Sequence, residues 1–184
     1  MENFDVLNSD GEPTGVVKPR VEVHRDGDWH RSVHVWIINS KQELLLQKRA
    51  HNKDSFPNMW DISVAGHVSA GQKSLETGIR EVRAEVGLDI TNDELEHNFT
   101  VKNQNITDEG KFVDNEFNDV YLIRKDVEVP NLNFDKKEIA ELQWMHFEKL
   151  EGLVKQTEDN QIVPHEREYQ LLFDVLREKS LINR

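Results

Sequence analysis

The chain has 184 residues, 36% of them apolar and spread along its length, which is enough to expect one domain with its own core over residues 1–184. A formal net charge of −12 with no cluster of basic residues argues against a nucleic-acid polymer as partner, because nothing offsets the repulsion of a phosphate backbone. There is no cysteine, so disulfides and thiol chemistry are excluded; no apolar run is long enough to span a bilayer and the opening MENFDVLNSDGEP is not leader-like, so a cytoplasmic protein without a membrane partner is expected.

Apolar and β-branched runs predict strands at residues 4–7, 33–38 and 44–47, at or just before Val101, and at 119–123 and 141–146. Turn signals stand between them at Asp10 and Gly11, Asp26 and Gly27, Asn39 and Ser40, and Glu109 and Gly110. Helical spacing predicts helices over 74–86, around 147–153 and over 165–179, the last with Tyr169, Leu171, Leu172, Val175 and Leu176 on a face suited to packing on a sheet. Strands before, between and after separated helices predict a mixed sheet between helices, an α/β (α+β) fold of the α/β/α sandwich type. The stretch 103–114 is long and polar and reads as a loop bordering a pocket.

The segment 66–88, GHVSAGQKSLETGIREVRAEVGL, has a spacing that carries chemistry. Ser74 reads as the N-cap of the helix and Gly87 as the residue just past its last turn. At about 100° per residue, Leu75, Ile79, Val82 and Val86 share one stripe that must be buried. Glu81 and Glu85 lie together on its flank, where they repel one another unless a cation sits between them, which points to a divalent metal. Gly78, without a side chain, lets another group approach this helix closely.

Gly66, Gln72, Arg80, Glu81, Val82, Glu85, Gly87 and Leu88 together resemble the Nudix box, whose pattern is G, five residues, E, seven residues, REUxEExGU. Gln72 and Ala84 stand where the pattern has glutamates, so one carboxylate set is thinner than in the family. The resemblance implies a Nudix fold, Mg²⁺ or Mn²⁺ as cofactor, Glu81 and Glu85 as metal-binding and catalytic carboxylates, and Arg80 as a residue that orients the catalytic loop. It also implies a small phosphorylated substrate, with Gly66 beside it; the oligomeric state is left open, a homodimer among the options.

The similarity extends over residues 5–90 to the branch that includes type 1 isopentenyl-diphosphate isomerase, through DVLNSDGEPTG, KRAHNKDSFPNMWDISVAGH and the placing of Pro57 and Trp60. That branch binds a metal through histidines and acidic residues from several loops. The matching positions are His24, His30, His67, Asp114 and Glu116, all of them types that ligate divalent ions. Arg49 and Lys53 fall in the segment that faces a diphosphate there, and both suit phosphate oxygens. His34, His51, His97, His146 and His165 match no motif and are expected to be structural or exposed, with Trp36 and Trp60 as core or pocket walls.

In these isomerases a cysteine in the sequence S-V-C-G-H moves the proton, whereas residues 63–67 here read Ser-Val-Ala-Gly-His. The methyl group of Ala65 neither accepts nor donates a proton, and the Arg80-Glu81 pair of the box is retained. The expectation is therefore a metal-dependent Nudix hydrolase of a small organic or nucleoside diphosphate. The alternatives are an isomerase-like protein and a non-catalytic diphosphate-binding module. Hydrolysis needs a carboxylate to take a proton from water, and Glu85, Glu116, Glu138 and Glu141 all remain candidates.

Overall fold

The computed structural model describes residues 2–53, 55–107, 112–156 and 161–183. Strands β1 (Asn3–Leu7), β2 (Pro13–Pro19), β3 (Trp29–Ile38), β4 (Glu43–Arg49), β5 (Trp60–Asp61), β6 (Val64–His67), β7 (Glu96–Thr107), β8 (Phe112–Arg124) and β9 (Ile139–His146) belong to one connected sheet. Its helices are α1 (Arg20–Asp26), α2 (Ser74–Glu81), α3 (Phe147–Val154) and α4 (Glu166–Glu178).

The sheet is organised by β3. It runs parallel to β8 along its whole length, from Trp29 opposite Asn115 to Ile38 opposite Arg124. On its other side it pairs antiparallel with β6, placing Ser32 opposite His67 and His34 opposite Ala65. Strand β4 continues from the end of β3 and pairs with β5 and β9, and β7 closes a hairpin on β8.

Alternation along β3 decides both cores. Val33, Val35 and Ile37 pack with Val82 and Val86, and with Tyr121 and Ile123 of β8, on one side of the sheet. Trp36 and Ile38 face the opposite side, against Leu150 of α3 and Tyr169, Leu172 and Leu176 of α4. With period-two side chains a single strand thus feeds two apolar layers. Helices cover both, giving the expected α/β/α sandwich with a mixed sheet.

Several elements differ from the sequence reading, for local reasons. The stripe of residues 74–86 is as expected, but its last part, Val82–Val86, winds as a wide π-type turn before Gly87 terminates it at φ 74°. Ser74 is not the N-cap: Lys73 holds that position without a capping hydrogen bond, and the Ser74 hydroxyl accepts from Tyr121 at 3.0 Å. Residues 103–107 and 112–114, read as loop, are strand ends of the β7–β8 hairpin, and the turn signal at Glu109 and Gly110 lies outside the described residues.

Strand β2 is exposed over most of its length, so it shows no apolar alternation, and proline marks both of its ends. Helix α1 is only seven residues long and includes two valines, which hide a helical signal. The Asp26 and Gly27 turn signal is its C-terminus, where Gly27 at φ 70° takes the left-handed cap. Strands β5 and β6, of two and four residues, are too short to show a period.

Candidate active site

A cavity of about 780 Å³ opens on the face of β3 that carries Ser32 and His34, between β6, the second half of the 74–86 helix and the residues preceding α4. Its wall includes His67, Asp114 and Glu116, the pair Glu81 and Glu85, and His34 with His165.

The first group is a convergence of imidazoles. One ligand atom each from His24, His30, His67 and Asp114 lies within 4.8 Å of all the others. Its members come from α1, β3, β6 and β8, so only the folded sheet assembles it. His24 and His30 engage backbone carbonyls through Nδ1, of Arg20 at 2.9 Å and Asp28 at 3.1 Å. A donating Nδ1–H fixes the tautomer and leaves Nε2 as the inward-facing ligand atom, the arrangement in which protein imidazoles hold metals. Phe4 stacks on His30 at 5.1 Å and on His67 at 4.9 Å between ring centroids, pinning both planes.

Asp114 Oδ1 stands 3.2 Å from His24 Nε2 and 3.4 Å from His30 Nε2, while Glu116 Oε1 stands 3.3 Å from His67 Nε2 and 3.7 Å from His30 Nε2. Even so, Nε2 of His30 and of His67 are buried without a hydrogen-bond partner. Orphaned, pre-oriented imidazole nitrogens facing two carboxylates fit a divalent cation. Burial opposes charge on His30, but the nearby carboxylates, Asp114 first and then Glu116, outweigh it and raise its pKa. Burial likewise pushes Asp114 up, and the hydrogen bond from His24 with the close approach of His30 more than reverses this, holding it well below the usual carboxylate range. Glu116 is pushed up by burial and by Asp114 and brought down on balance by His67 and His30.

The second group is the glutamate pair. A Cβ placed on Gly66 would lie 2.6 Å from Cγ of Glu81, so the absence of a side chain at 66 lets Glu81 reach across the strand into the cavity. Gly78 serves packing instead, since a Cβ there would meet Leu95 at 2.8 Å. Glu85 is buried and accepts from Gln47 Nε2 at 3.2 Å. Burial and then the charge of Glu81 push its carboxyl up to about 8. Burial also raises Glu81. Two carboxylates raised in this way by burial and by like charge are the chemistry a cation between them would relieve.

The other sequence-predicted residues divide. Arg49 lines the cavity, but its guanidinium donates to Asp61 Oδ2 at 2.9 Å and to Ser55, so Asp61 and Ser55 already engage it. Lys53 lines it too and is ion-paired with Glu138. Arg80 is absent from the wall: half-exposed, it forms an ion pair with Glu81 Oε1 at 2.9 Å and braces that carboxylate from outside. Of the departures from the box, Ala84 borders the cavity and Gln72 does not, so a glutamate is missing at its rim only at 84.

The NUDIX domain matches residues 28–168. The chain belongs to the Nudix family. "Nudix hydrolase 3" of Arabidopsis thaliana is 44% identical over 99% of this chain, which spans 24% of that relative's length. An uncharacterized Nudix hydrolase of Listeria monocytogenes is 36% identical over 83% of the chain and 85% of its own length. Isopentenyl-diphosphate Delta-isomerase of Escherichia coli is more distant, 31% identical over 78% of this chain and 76% of its own. Among solved structures, DR0079 from Deinococcus radiodurans matches with a TM-score of 0.68 at 23% identity, over 94% of this chain and 98% of that one, which supports the Nudix fold. The resemblance read from the box and from the isomerase-like segment is thereby borne out, and Nudix hydrolases generally use divalent metal ions.

Sequence reasoning missed part of this Nudix cavity. His34 and His165, expected to be structural or exposed, both line it, together with Asp61. Glu168, buried beneath them on α4, holds His34. His34 had a signal that was available: it continues the His30, Ser32 alternation on one face of β3. The contributions of His165 and Glu168 come from the cap and first turn of α4, 130 or so residues away, and had none. Glu141, weighed as a proton acceptor, is exposed and outside the cavity wall.

Proposed function

We propose that this chain is a metal-dependent hydrolase of a small organic or nucleoside diphosphate, with the histidine group and the glutamate pair as its two ligand sets. The observation that supports it most is the pair of orphaned Nε2 atoms, of His30 and His67, converging with His24 and Asp114 on the cavity that Glu81 and Glu85 also face. The imidazoles of the first set suit a transition ion better than Mg²⁺, whereas its Asp114 and the carboxylate pair suit Mg²⁺ or Mn²⁺. A cation held there would supply charge to neutralise phosphate oxygens and would lower the pKa of an attacking water.

The residues of the chain supply the rest. Gly66 allows Glu81 its approach, Arg80 braces it, and Phe4 keeps two imidazole planes fixed. Among the four candidate proton acceptors, Glu85 fits best: it lines the cavity, Glu138 is tied to Lys53, Glu141 is outside the wall, and Glu116 stands beside the histidine group. Lys53 is the cation nearest to hand for phosphate oxygens, since its partner Glu138 is part-exposed and can be exchanged for substrate. The lost cysteine position at Ala65 and the retained Arg80-Glu81 pair favour hydrolysis over isomerisation. Incubation with Mg²⁺ or Mn²⁺ and a panel of nucleoside and organic diphosphates tests this by released phosphate. Turnover above that of Glu85→Gln is expected; equal rates for the two proteins would remove the hydrolase reading.

A further inference from the structure

A second polar assembly borders the cavity. His34 Nδ1 is 2.7 Å from Glu168 Oε2, and the other carboxylate oxygen of Glu168 accepts from Trp36 Nε1 at 2.8 Å. Beside it, His165 Nε2 is 2.8 Å from Asp61 Oδ1, whose other oxygen takes Arg49. The two imidazoles meet edge to face, their centroids 5.3 Å apart.

We propose that His34 is a substrate-binding residue of this cavity, donating its Nε2–H to a phosphate oxygen of the bound diphosphate compound while Glu168 holds the ring from behind. This rests on the diphosphate reading above and adds a contact to it.

Three observations support it. First, the donor arrangement leaves one end free: Nδ1 is taken by Glu168, whereas Nε2 has no protein hydrogen bond among the described residues and the side chain forms part of the cavity wall. Across the strand pair stands Ala65, which has no polar atom to engage the ring. Second, the ion pair is expensive. His34 is 5% exposed and Glu168 2%, and a buried pair of this kind is commonly no more stabilising than apolar residues of similar volume. Two charges under a cavity floor are better explained by what the cavity binds. Third, the ring is charged. Burial lowers its pKa, but the charge and hydrogen bond of Glu168, with smaller contributions from Glu116 and Asp61, raise it to about 9, so both nitrogens carry protons near neutrality.

His34, His165 and Glu168 are also of ligating type and close enough together to be weighed as a metal set. Their ligand atoms are already paired, however: the Glu168 oxygens with His34 and Trp36, and His165 Nε2 with Asp61. A metal there would have to displace a proton from a ring stabilised in its charged form. The Nε2 atoms of His30 and His67 stand farther from their carboxylates, 3.4 and 3.3 Å, and make no hydrogen bond with them, a contrast that points to metal at the first group and an anion at the second.

The test uses methylenediphosphonate, whose P–C–P linkage cannot be hydrolysed, titrated into the protein with Mg²⁺ by calorimetry. His34→Phe retains a ring of similar shape without donors, and loss of one charge-assisted hydrogen bond should weaken binding about 10- to 100-fold. His34→Gln, with a neutral donor, should fall between it and wild type. His97→Phe, the same exchange outside the cavity wall, should bind as wild type does, and circular dichroism confirms that each variant is folded. If His34→Phe does not fold, His34→Gln and Glu168→Gln decide, each expected to bind several-fold more weakly. Folded His34 variants that bind as tightly as wild type overturn the proposal, as does a folded wild type that binds no diphosphonate. Diphosphonate binding without turnover of any diphosphate would sink the hydrolase reading and leave this one standing; turnover with unchanged KM in His34→Phe would do the reverse.

Discussion

Two imidazole assemblies share one face of β3, four residues apart, and they are built on opposite principles. Around His30 the carbonyl-tied rings point nitrogens at a common centre, and two of those nitrogens have no partner. Around His34 a carboxylate occupies one side of the ring, and that carboxylate is itself completed by Trp36. The first assembly is stable in this form only because folding enforces it, since it concentrates buried polar atoms without satisfying them. The second satisfies itself and needs no ion to persist. Imidazole nitrogens whose lone pairs lack a hydrogen bond suit a cation, whereas a ring already held by a carboxylate has a proton to offer an anion.

The contrast can be broken most strongly at the glutamates. Glu85→Gln retains the shape of the side chain and its contact with Gln47 but removes the proton acceptor, so a loss of kcat on the order of 10²- to 10⁴-fold is expected from steady-state phosphate release. Gly66→Ala comes next. A methyl group 2.6 Å from Glu81 Cγ must move that carboxylate, and displacements of this size cost roughly 100-fold in rate with the fold retained.

The second assembly should respond in stability. Glu168→Ala leaves His34 as an uncompensated buried charge and is expected to cost about 3–5 kcal/mol in urea unfolding. The pH dependence follows from the two shifts. His34 is raised, so its contribution is full below its ordinary 6.5 and is lost as pH climbs through about 9. Glu168 is lowered on balance, burial being outweighed by His34, so its contribution is full above its ordinary 4.5 and is lost in more acid solution. The stability gap between wild type and Glu168→Gln should therefore be widest at pH 4.5 to 6.5 and shrink towards pH 9. A gap that stays constant from pH 5 to 9.5 would remove the ion pair from the account. Arg80→Ala should be the mildest change, under about 1 kcal/mol in stability, because its partner contact is half-exposed, with a smaller loss of rate than Gly66→Ala.

What was legible in the sequence follows the same division. Residues 66–88 announce themselves because helical spacing, a terminating glycine and charge all fall within one element. The histidine group could be read from the isomerase-like segment, although α1, which delivers His24, could not: its valines and its brevity disguise it as a strand and a turn. The second assembly was invisible for a different reason. His34 looked like any histidine in an apolar run, and its meaning depends on Glu168, which reaches it only when α4 packs on the sheet. Long-range pairing of this kind leaves no periodicity behind. Arg80 shows the converse, a residue legible as part of a pattern whose side chain stands outside the cavity.

The proposal that the histidine group and the glutamate pair each form a metal-ligand set is tested most directly by titrating Mn²⁺ and following the free ion by electron paramagnetic resonance. Wild type should show two classes of site. His30→Gln should lose one class and Glu85→Gln the other, with both variants folded by circular dichroism. A His30→Gln protein that binds Mn²⁺ with the same stoichiometry and affinity as wild type would contradict the account.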